Sequence, residues 1–256
     1  MNREAFDRLF DMTGRTVIVT GGTRGIGRAL AEGFVLAGAN VVVASRKADA
    51  CEQAALHLRG LGGQAIGVPT HLGDVDDLAA LVQGTIDEFG GIDVVVNNAA
   101  NALAQPLGDM TVDAWTKSFE VNLRGPVFLA QHALPHLKRS PNAAILNMVS
   151  TGAFQFAPAV SMYAAGKAAL LSFTRSMAAA YVSHGIRVNA LAPGPVDTDM
   201  MRNNPQEAID YMAGATLMKR LASPDEMVGA ALLLTSDAGS YITGQVLIAD
   251  GGGTPR

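Results

Sequence analysis

Tyr163 and Lys167 stand four residues apart in SMYAAGKAALL, and Ser150 closes the apolar run AAILNMVS thirteen residues before the tyrosine. On a helix, positions i and i+4 share one face about a turn apart, which brings the Lys167 ammonium near the Tyr163 phenol. With a reference pKa near 10 and an effective dielectric near 20, a unit charge at roughly 4 Å favours phenolate by roughly 4 kcal/mol, about three pKa units before desolvation. A phenol so tuned gives a proton to a carbonyl oxygen, or takes one from an alcohol, at physiological pH. An ordinary helical pair with Lys167 reaching into solvent has the same spacing, so the weight of the pair rests on the rest of the chain.

Short β-rich runs alternate with helix-length segments: TVIVT (16–20), NVVVAS (40–45), QAIGVP (64–69), IDVVVNN (92–98), AAILNMVS (143–150), RVNALAP (187–193) and QVLIAD (245–250). Continuous Val/Ile/Leu runs without polar alternation predict strands buried on both faces. Right-handed crossovers then give a single-domain, doubly wound α/β (Rossmann) sandwich with a seven-stranded, mainly parallel sheet. In such sheets ligands sit beyond the carboxyl ends of the strands. The domain is expected over 14–256, after an N-terminal extension over 1–13 whose Phe6, Leu9 and Phe10 recur at helical spacing and predict a short helix on the domain surface. Residues 195–220 carry Met200, Met201, Met212 and Met218 among Pro and Asn, which suits an adaptable apolar substrate lid, although such methionines also serve as core filler.

The chain has 256 residues, 49% hydrophobic and 16% charged, with a net charge of -4. That size supports one well-buried domain, and the charge carries no electrostatic footprint for nucleic acid or for an anionic membrane. A single cysteine, Cys51, fits a reducing, cytoplasmic compartment. The stretch MNREAFDRLFDMTG has no apolar core of a signal peptide and too many acids for a transit peptide, so the mature chain is expected to begin there. No apolar run reaches the length of a membrane span.

The first strand runs directly into TGGTRGIGRALAEGF, which puts Gly21, Gly25 and Gly27 across a strand-to-helix turn. Glycines there let the backbone approach a pyrophosphate, and the free N–H groups of the helix start attract its charge. At the end of the second strand a carboxylate would bind ribose hydroxyls and repel a 2′-phosphate. Ser45 and Arg46 occupy that point instead, and Arg46 and Arg24 can both approach a phosphate. NADP(H) is therefore the expected cofactor, preferred over NAD(H), with Asp49 read as a helix N-cap and not a ribose ligand.

With TGGTRGIG, NNAAN at 97–101, Asn122, Ser150, Tyr163-x-x-x-Lys167 and PGPVDT at 193–198 in this order, the chain resembles the short-chain dehydrogenase/reductase family over nearly its whole length. The resemblance implies a homotetrameric NAD(P)-dependent oxidoreductase acting on a small carbonyl compound or alcohol. It makes Tyr163 the acid/base, Lys167 the residue that holds the nicotinamide ribose and tunes the tyrosine, and Ser150 the donor to the substrate oxygen. Asn122 matches a fourth position associated with a water-mediated proton path to the lysine. The implied cofactor contacts are Gly21, Thr23, Arg24, Gly25, Ile26, Gly27, Ser45, Arg46, His71, Leu72, Asn97, Ala99, Tyr163, Lys167, Pro193, Gly194, Val196 and Thr198.

Asn122 lies in a helix expected over 111–137, with Pro126 four residues later. Proline has no N–H, so the Asn122 carbonyl loses its usual helical donor and stays available to a water. Two positions depart from the family pattern: Ala100 replaces a glycine, and His71 and Leu72 stand where many members have Asp and Val.

Among the remaining candidates, His132 and His136 are spaced like two metal ligands, but without a third they read as a solvated helix face, and no metal is expected. Asp76 and Asp77 read as a helix start. Cys51 has no neighbouring cation pattern and reads as inert. YITGQVLIADGG reads equally as an edge strand or as a tetramer contact. The leading function is hydride transfer between NADP(H) and a carbonyl carbon. Its rivals are an epimerase or dehydratase that uses the cofactor transiently and a non-catalytic NADP(H)-sensing protein.

Overall fold

Each of the seven apolar runs forms a strand in the computed structural model, which describes residues 2–254. The elements run α1 (Arg3–Asp7), β1 (Thr16–Thr20), α2 (Gly25–Leu36), β2 (Asn40–Ser45), α3 (Ala48–Gly60), β3 (Ala65–Pro69), α4 (Val75–Phe89) and β4 (Val94–Asn97). Then follow α5 (Val112–Phe119), α6 (Gly125–Leu137), β5 (Ala144–Met148), α7 (Ser161–Tyr181), β6 (Arg187–Pro193), α8 (Asp199–Arg202), α9 (Gln206–Ala215), α10 (Val228–Thr235) and β7 (Val246–Ala249). The sheet order is β3-β2-β1-β4-β5-β6-β7, with every pairing parallel. Four strands, β3, β4, β5 and β7, end a residue or two inside the expected bounds.

Alternation along the strands explains the apolar runs. Val17, Val19, Val41, Val43, Val94 and Val96 pack into one layer with Leu30 and Phe34 of α2, Leu58 of α3 and Leu234 of α10. Ile18, Val42, Val95 and Ile145 face the opposite layer with Leu81 of α4, Leu129 of α6 and Met177 of α7. Each fully buried side chain of this kind contributes about 1.5–3 kcal/mol, so polar residues are driven off both faces of the sheet. Those that remain in the strands are therefore informative.

Helix ends follow local chemistry. The Asp74 carboxylate accepts from Asp76 N–H to start α4, Gly90 ends it at φ 75°, and Asp76 and Asp77 lie in its first turn as expected. Asp49 is corrected: the N-cap of α3 is Lys47, without a side-chain bond, and Asp49 lies in the first helical turn, where its charge meets the helix dipole. The N-terminal helix forms but buries none of its residues, and Phe6 is 57% exposed. The chain is tied down further on, by Ala238 N–H donating to the Leu9 carbonyl and by the fully buried Met12.

The helix expected over 111–137 is two helices joined by a π turn, Glu120–Arg124. Gly125 N–H donates five residues back, to the Glu120 carbonyl. Pro126 is the cause: it lacks an N–H, and its ring crowds the carbonyl four residues earlier, that of Asn122, so the turn widens. The solvated face assigned to His132 and His136 is also corrected. Both are half-buried, and His132 Nε2 is buried without a hydrogen-bond partner among the described residues. No helix of the described residues is long and apolar enough to cross a membrane.

Candidate active site

Ser150 lies two residues past β5, where its hydroxyl accepts from Gly152 N–H at 3.1 Å and starts a 3-10 turn. Tyr163 and Lys167 lie on α7, an Ala-rich helix that turns Met162, Gly166, Lys167, Leu170 and Thr174 inward. A ladder of buried polar groups sets this helix against the sheet. Asn97 Nδ2 of β4 donates to Asn147 Oδ1 of β5 at 2.8 Å, and Asn147 Nδ2 donates to Thr174 Oγ1 of α7 at 2.9 Å. Asn97 Nδ2 also reaches the Pro126 carbonyl at 3.2 Å. Bonds formed away from water hold their members in one register, since an unmade one costs about 1–3 kcal/mol.

Lys167 is only 1% exposed, and its Nζ donates to the Met148 carbonyl at 2.7 Å, at the end of β5. Burial pulls its pKa from 10.5 down to about 8. The expected tuning of the tyrosine is corrected here. Nζ lies 5.7 Å from the Tyr163 ring centroid, and Tyr163 is pushed up from 10.0 by burial, with the Ser150 hydroxyl working in the opposite direction. Desolvation of the phenolate outweighs the cation because the buried ammonium turns to the strand carbonyl.

The glycine turn fits a dinucleotide. Gly21 and Gly25 adopt φ of 66° and 52°, the left-handed region that favours glycine. A Cβ on Gly21 would lie 2.9 Å from Ala99 Cα, and one on Gly27 would collide with the Gly21 carbonyl. The start of α2 has no side-chain cap, so its first N–H groups face the turn without one. Helix propensity favours Ala over Gly, yet Gly27→Ala is expected to destabilise the protein by about 1–3 kcal/mol, because backbone must move. Urea unfolding checks this, and an unchanged midpoint rules out the collision.

The other expected contacts mostly gather at the same sheet edge. Thr23 Oγ1 donates to Ser45 Oγ at 3.4 Å, and Arg46 is exposed just beyond β2. Arg24 is exposed and lies 3.8 Å from Asp199 of α8. Ile26 packs against the core, and Ala99 N–H donates to Thr20 Oγ1 at 3.1 Å. Pro193 ends β6, the Cβ position of Gly194 abuts Asp250, and buried Val196 bridges to Ala222. Thr198 caps α8 and touches the Cβ position of Gly25 at 3.2 Å, which brings segment 195–220 against the glycine turn.

Asn97, Leu72 and His71 complete the expected set. The Asn97 side chain is 2% exposed, with its Nδ2 engaged in the polar ladder and its Oδ1 buried without a hydrogen-bond partner among the described residues. The Leu72 side chain is core, while His71 is exposed and its Nδ1 accepts from Gly73 N–H at 3.2 Å. Cys51 is buried and its thiol donates to the Ser45 carbonyl at 3.3 Å. Among the described residues no group of three or more His, Cys, Asp or Glu could hold a metal ion.

Sequence reasoning missed Asn98, whose Nδ2 donates to the Thr20 carbonyl at 2.8 Å and ties β4 to the glycine turn, and Asn101, bonded to Asn122. It also missed Asn147 and Thr174. Their signal was polarity inside apolar runs: an Asn in AAILNMVS has to find a buried partner.

Over residues 20–254 the chain matches the family model described as enoyl-(acyl carrier protein) reductase. It is 39% identical over 242 residues to the cis-4-hydroxycyclohexanecarboxylate dehydrogenase of Sinomonas cyclohexanicum, covering 94% of this chain and 96% of that one. It is 37% identical over 249 residues to the 2,5-dichloro-2,5-cyclohexadiene-1,4-diol dehydrogenase of Sphingobium indicum, covering 95% and 98%. Among solved structures, a protein of Beutenbergia cavernae provisionally named an NAD(P)-dependent gluconate 5-dehydrogenase, with NADP bound at low occupancy, superposes with a TM-score of 0.91. It is 34% identical, and the match covers 96% of this chain and 98% of that one. The parallel seven-stranded sheet, the glycine turn and these whole-length matches place the chain among oxidoreductases whose fold binds a nicotinamide cofactor: it belongs to the short-chain dehydrogenase/reductase family.

Proposed function

We propose that this protein interconverts an uncharged secondary alcohol and its ketone with NADP(H), using Tyr163 as acid/base. The observation that carries the reading is that Ser150, Tyr163 and Lys167 come together at the end of β5, with α7 held against the sheet by the buried polar ladder. When bound, the nicotinamide supplies or accepts the hydride. Ser150 and Tyr163 hold the substrate oxygen, and Tyr163 gives it a proton in reduction or takes one in oxidation. Lys167 holds the nicotinamide ribose, and the Asn122 carbonyl, without an N–H donor at Pro126, relays protons through water to Lys167. The glycine turn and the first N–H groups of α2 hold the pyrophosphate.

The phosphorylated cofactor is favoured because no acid ends β2 and Arg46, which forms no ion pair among the described residues, stands beside Ser45. Arg24 would exchange its long contact with Asp199 for the 2′-phosphate.

For the substrate, three segments meet at one rim. Gln155 Nε2 donates to Thr254 Oγ1 at 3.1 Å, the Cβ position of Gly252 touches Leu217, and Met218 N–H donates to the Gly251 carbonyl at 3.1 Å. Phe154, Phe156, Leu217 and Met218 are exposed there, which suits 195–220 as a lid over an apolar ligand. The nearby cations are engaged: Lys219 Nζ donates to the Gly214 carbonyl at 2.6 Å, and Glu226 holds Arg220. Two relatives are named for dehydrogenation of a hydroxyl-bearing six-membered carbocycle, one a carboxylate and one a neutral diol, so cyclic alcohols and ketones are the first substrates to try, and the engaged cations favour the neutral ones.

The test follows NADPH and NADH oxidation with neutral and carboxylated cyclic ketones. Neutral ketones are expected to react faster, and Arg46→Ala is expected to lower the NADPH:NADH efficiency ratio by roughly tenfold, as for loss of a charge-assisted bond. An unchanged ratio removes the cofactor assignment. Substrate conversion without net cofactor turnover would favour an epimerase or dehydratase. The homotetramer implied by the family is part of the same reading.

A further inference from the structure

Asn101 stands four residues beyond β4 and is half-buried. Its N–H donates to Asn122 Oδ1 at 3.2 Å, and Asn122 Nδ2 donates to the Asn101 carbonyl at 2.8 Å and to Asn101 Oδ1 at 2.9 Å. Asn101 Nδ2 donates to the Lys117 carbonyl at 3.0 Å, in the last turn of α5. The backbone pair would form with any residue at this position. The two side-chain bonds are particular to a carboxamide, which offers an acceptor to Asn122 and a donor to Lys117 at once.

These bonds grip both sides of the junction between α5 and the π turn. They also engage the whole Asn122 carboxamide, whose Nδ2 has Ser118 Oγ as a further acceptor at 3.2 Å. Asn122 therefore has only its backbone carbonyl to offer outside this cluster. A widened turn is less constrained than α-helix, so a clamp from outside the helix fixes where that carbonyl points. A Cβ built on Gly166 would lie 3.1 Å from Asn122 Cβ, so the turn also presses directly on α7 between Tyr163 and Lys167.

We infer that Asn101 is a positioning residue for proton delivery: its side chain sets the π turn so that the Asn122 carbonyl serves the path to Lys167 and Tyr163. This rests on the reading of Tyr163 as acid/base. Asn101→Ala keeps the backbone pair and deletes both side-chain bonds. Its kcat is expected to fall roughly tenfold, less than the roughly hundredfold or more that general acid–base catalysis itself contributes, because the relay is misplaced and not removed. NADPH dissociation, followed by fluorescence titration, stays within about twofold, and the solvent deuterium isotope effect on kcat rises because proton relay becomes slower. Asn101→Asp, which keeps the acceptor for Asn122, regains a substantial part of kcat.

Unchanged kcat and isotope effect in Asn101→Ala overturn the inference. So does a fall in kcat with an unchanged isotope effect, which marks mere loosening of the fold. Should Asn101→Ala fail to fold, Asn101→Asp decides, because it loses the bond to the Lys117 carbonyl: a kcat reduced severalfold with a raised isotope effect supports the clamp, and an isotope effect as in wild type, whether kcat is reduced or not, refutes it. Tyr163→Phe separates the two levels. If that variant turns over normally, the acid/base reading itself has failed; if it is inactive while Asn101→Ala behaves as wild type, only the clamp has.

Discussion

Tyr163→Phe is expected to lower kcat by about a thousandfold or more while NADPH binds within about twofold of wild type, because it removes only the hydroxyl proposed to transfer the proton. The ring stays in place, and Lys167 keeps its bond to the Met148 carbonyl at 2.7 Å. Stopped-flow turnover and fluorescence titration of NADPH give the two numbers, and retained turnover would end the proposed mechanism. The direction of the tyrosine's shift adds a pH dependence. Burial raises its pKa, so the phenol is protonated through the neutral range and ready to donate. Ketone reduction by the wild type should therefore be flat through neutrality, and alcohol oxidation, which needs the proton accepted, should rise toward alkaline pH.

The fold was legible because its signal is redundant. Seven apolar runs separated by helix-length segments have few arrangements once both faces of the sheet must be covered, and Val17 and Ile18 illustrate it by packing into opposite layers. Asn97 and Asn98 show where that legibility stops. They are adjacent and identical in type, yet one feeds the buried ladder while the other ties the sheet edge to the glycine turn, a difference of one residue in strand register.

The proposed catalytic pair was legible as a spacing and not as an electrostatic unit. An i, i+4 argument places two side chains on one face, but the direction of a long side chain is decided by what else is buried there. Lys167 lies under the helix against β5, where the Met148 carbonyl is the partner within reach. Likewise, Pro126 announced a missing helical bond without announcing how the chain would absorb it. The π turn and its side-chain clamp from Asn101 depend on a loop 21 residues away in sequence, beyond any local pattern.

Lys167→Met should make the protein more stable and less active, two changes in opposite directions from one side chain. Burial lowers the Lys167 pKa from 10.5 to about 8, and at about 1.4 kcal/mol per unit this costs the folded state roughly 3 kcal/mol wherever the lysine is charged in both states. The bond to the Met148 carbonyl offsets some of that, since leaving the acceptor unpaired costs about 1–2 kcal/mol. Methionine fills a similar volume without a charge, so a net gain of about 1–2 kcal/mol is expected at neutral pH. The sign can be checked against pH. From about 8 to 10.5 the unfolded lysine holds its proton more tightly than the folded one, so the wild type gains stability as pH rises through this window. The advantage of the variant must shrink there, because methionine has no proton to lose. Urea unfolding of both proteins below and above this window measures the difference. A variant less stable than wild type at neutral pH, or one whose advantage is the same at both pH values, would show that the buried ammonium carries no such cost. Activity moves the other way: without the cation proposed to hold the ribose and to receive protons relayed from Asn122, kcat is expected to fall by about a hundredfold or more. A buried charge kept at the expense of stability is what the proposed role of Lys167 implies, and the paired measurement tests both halves on one variant.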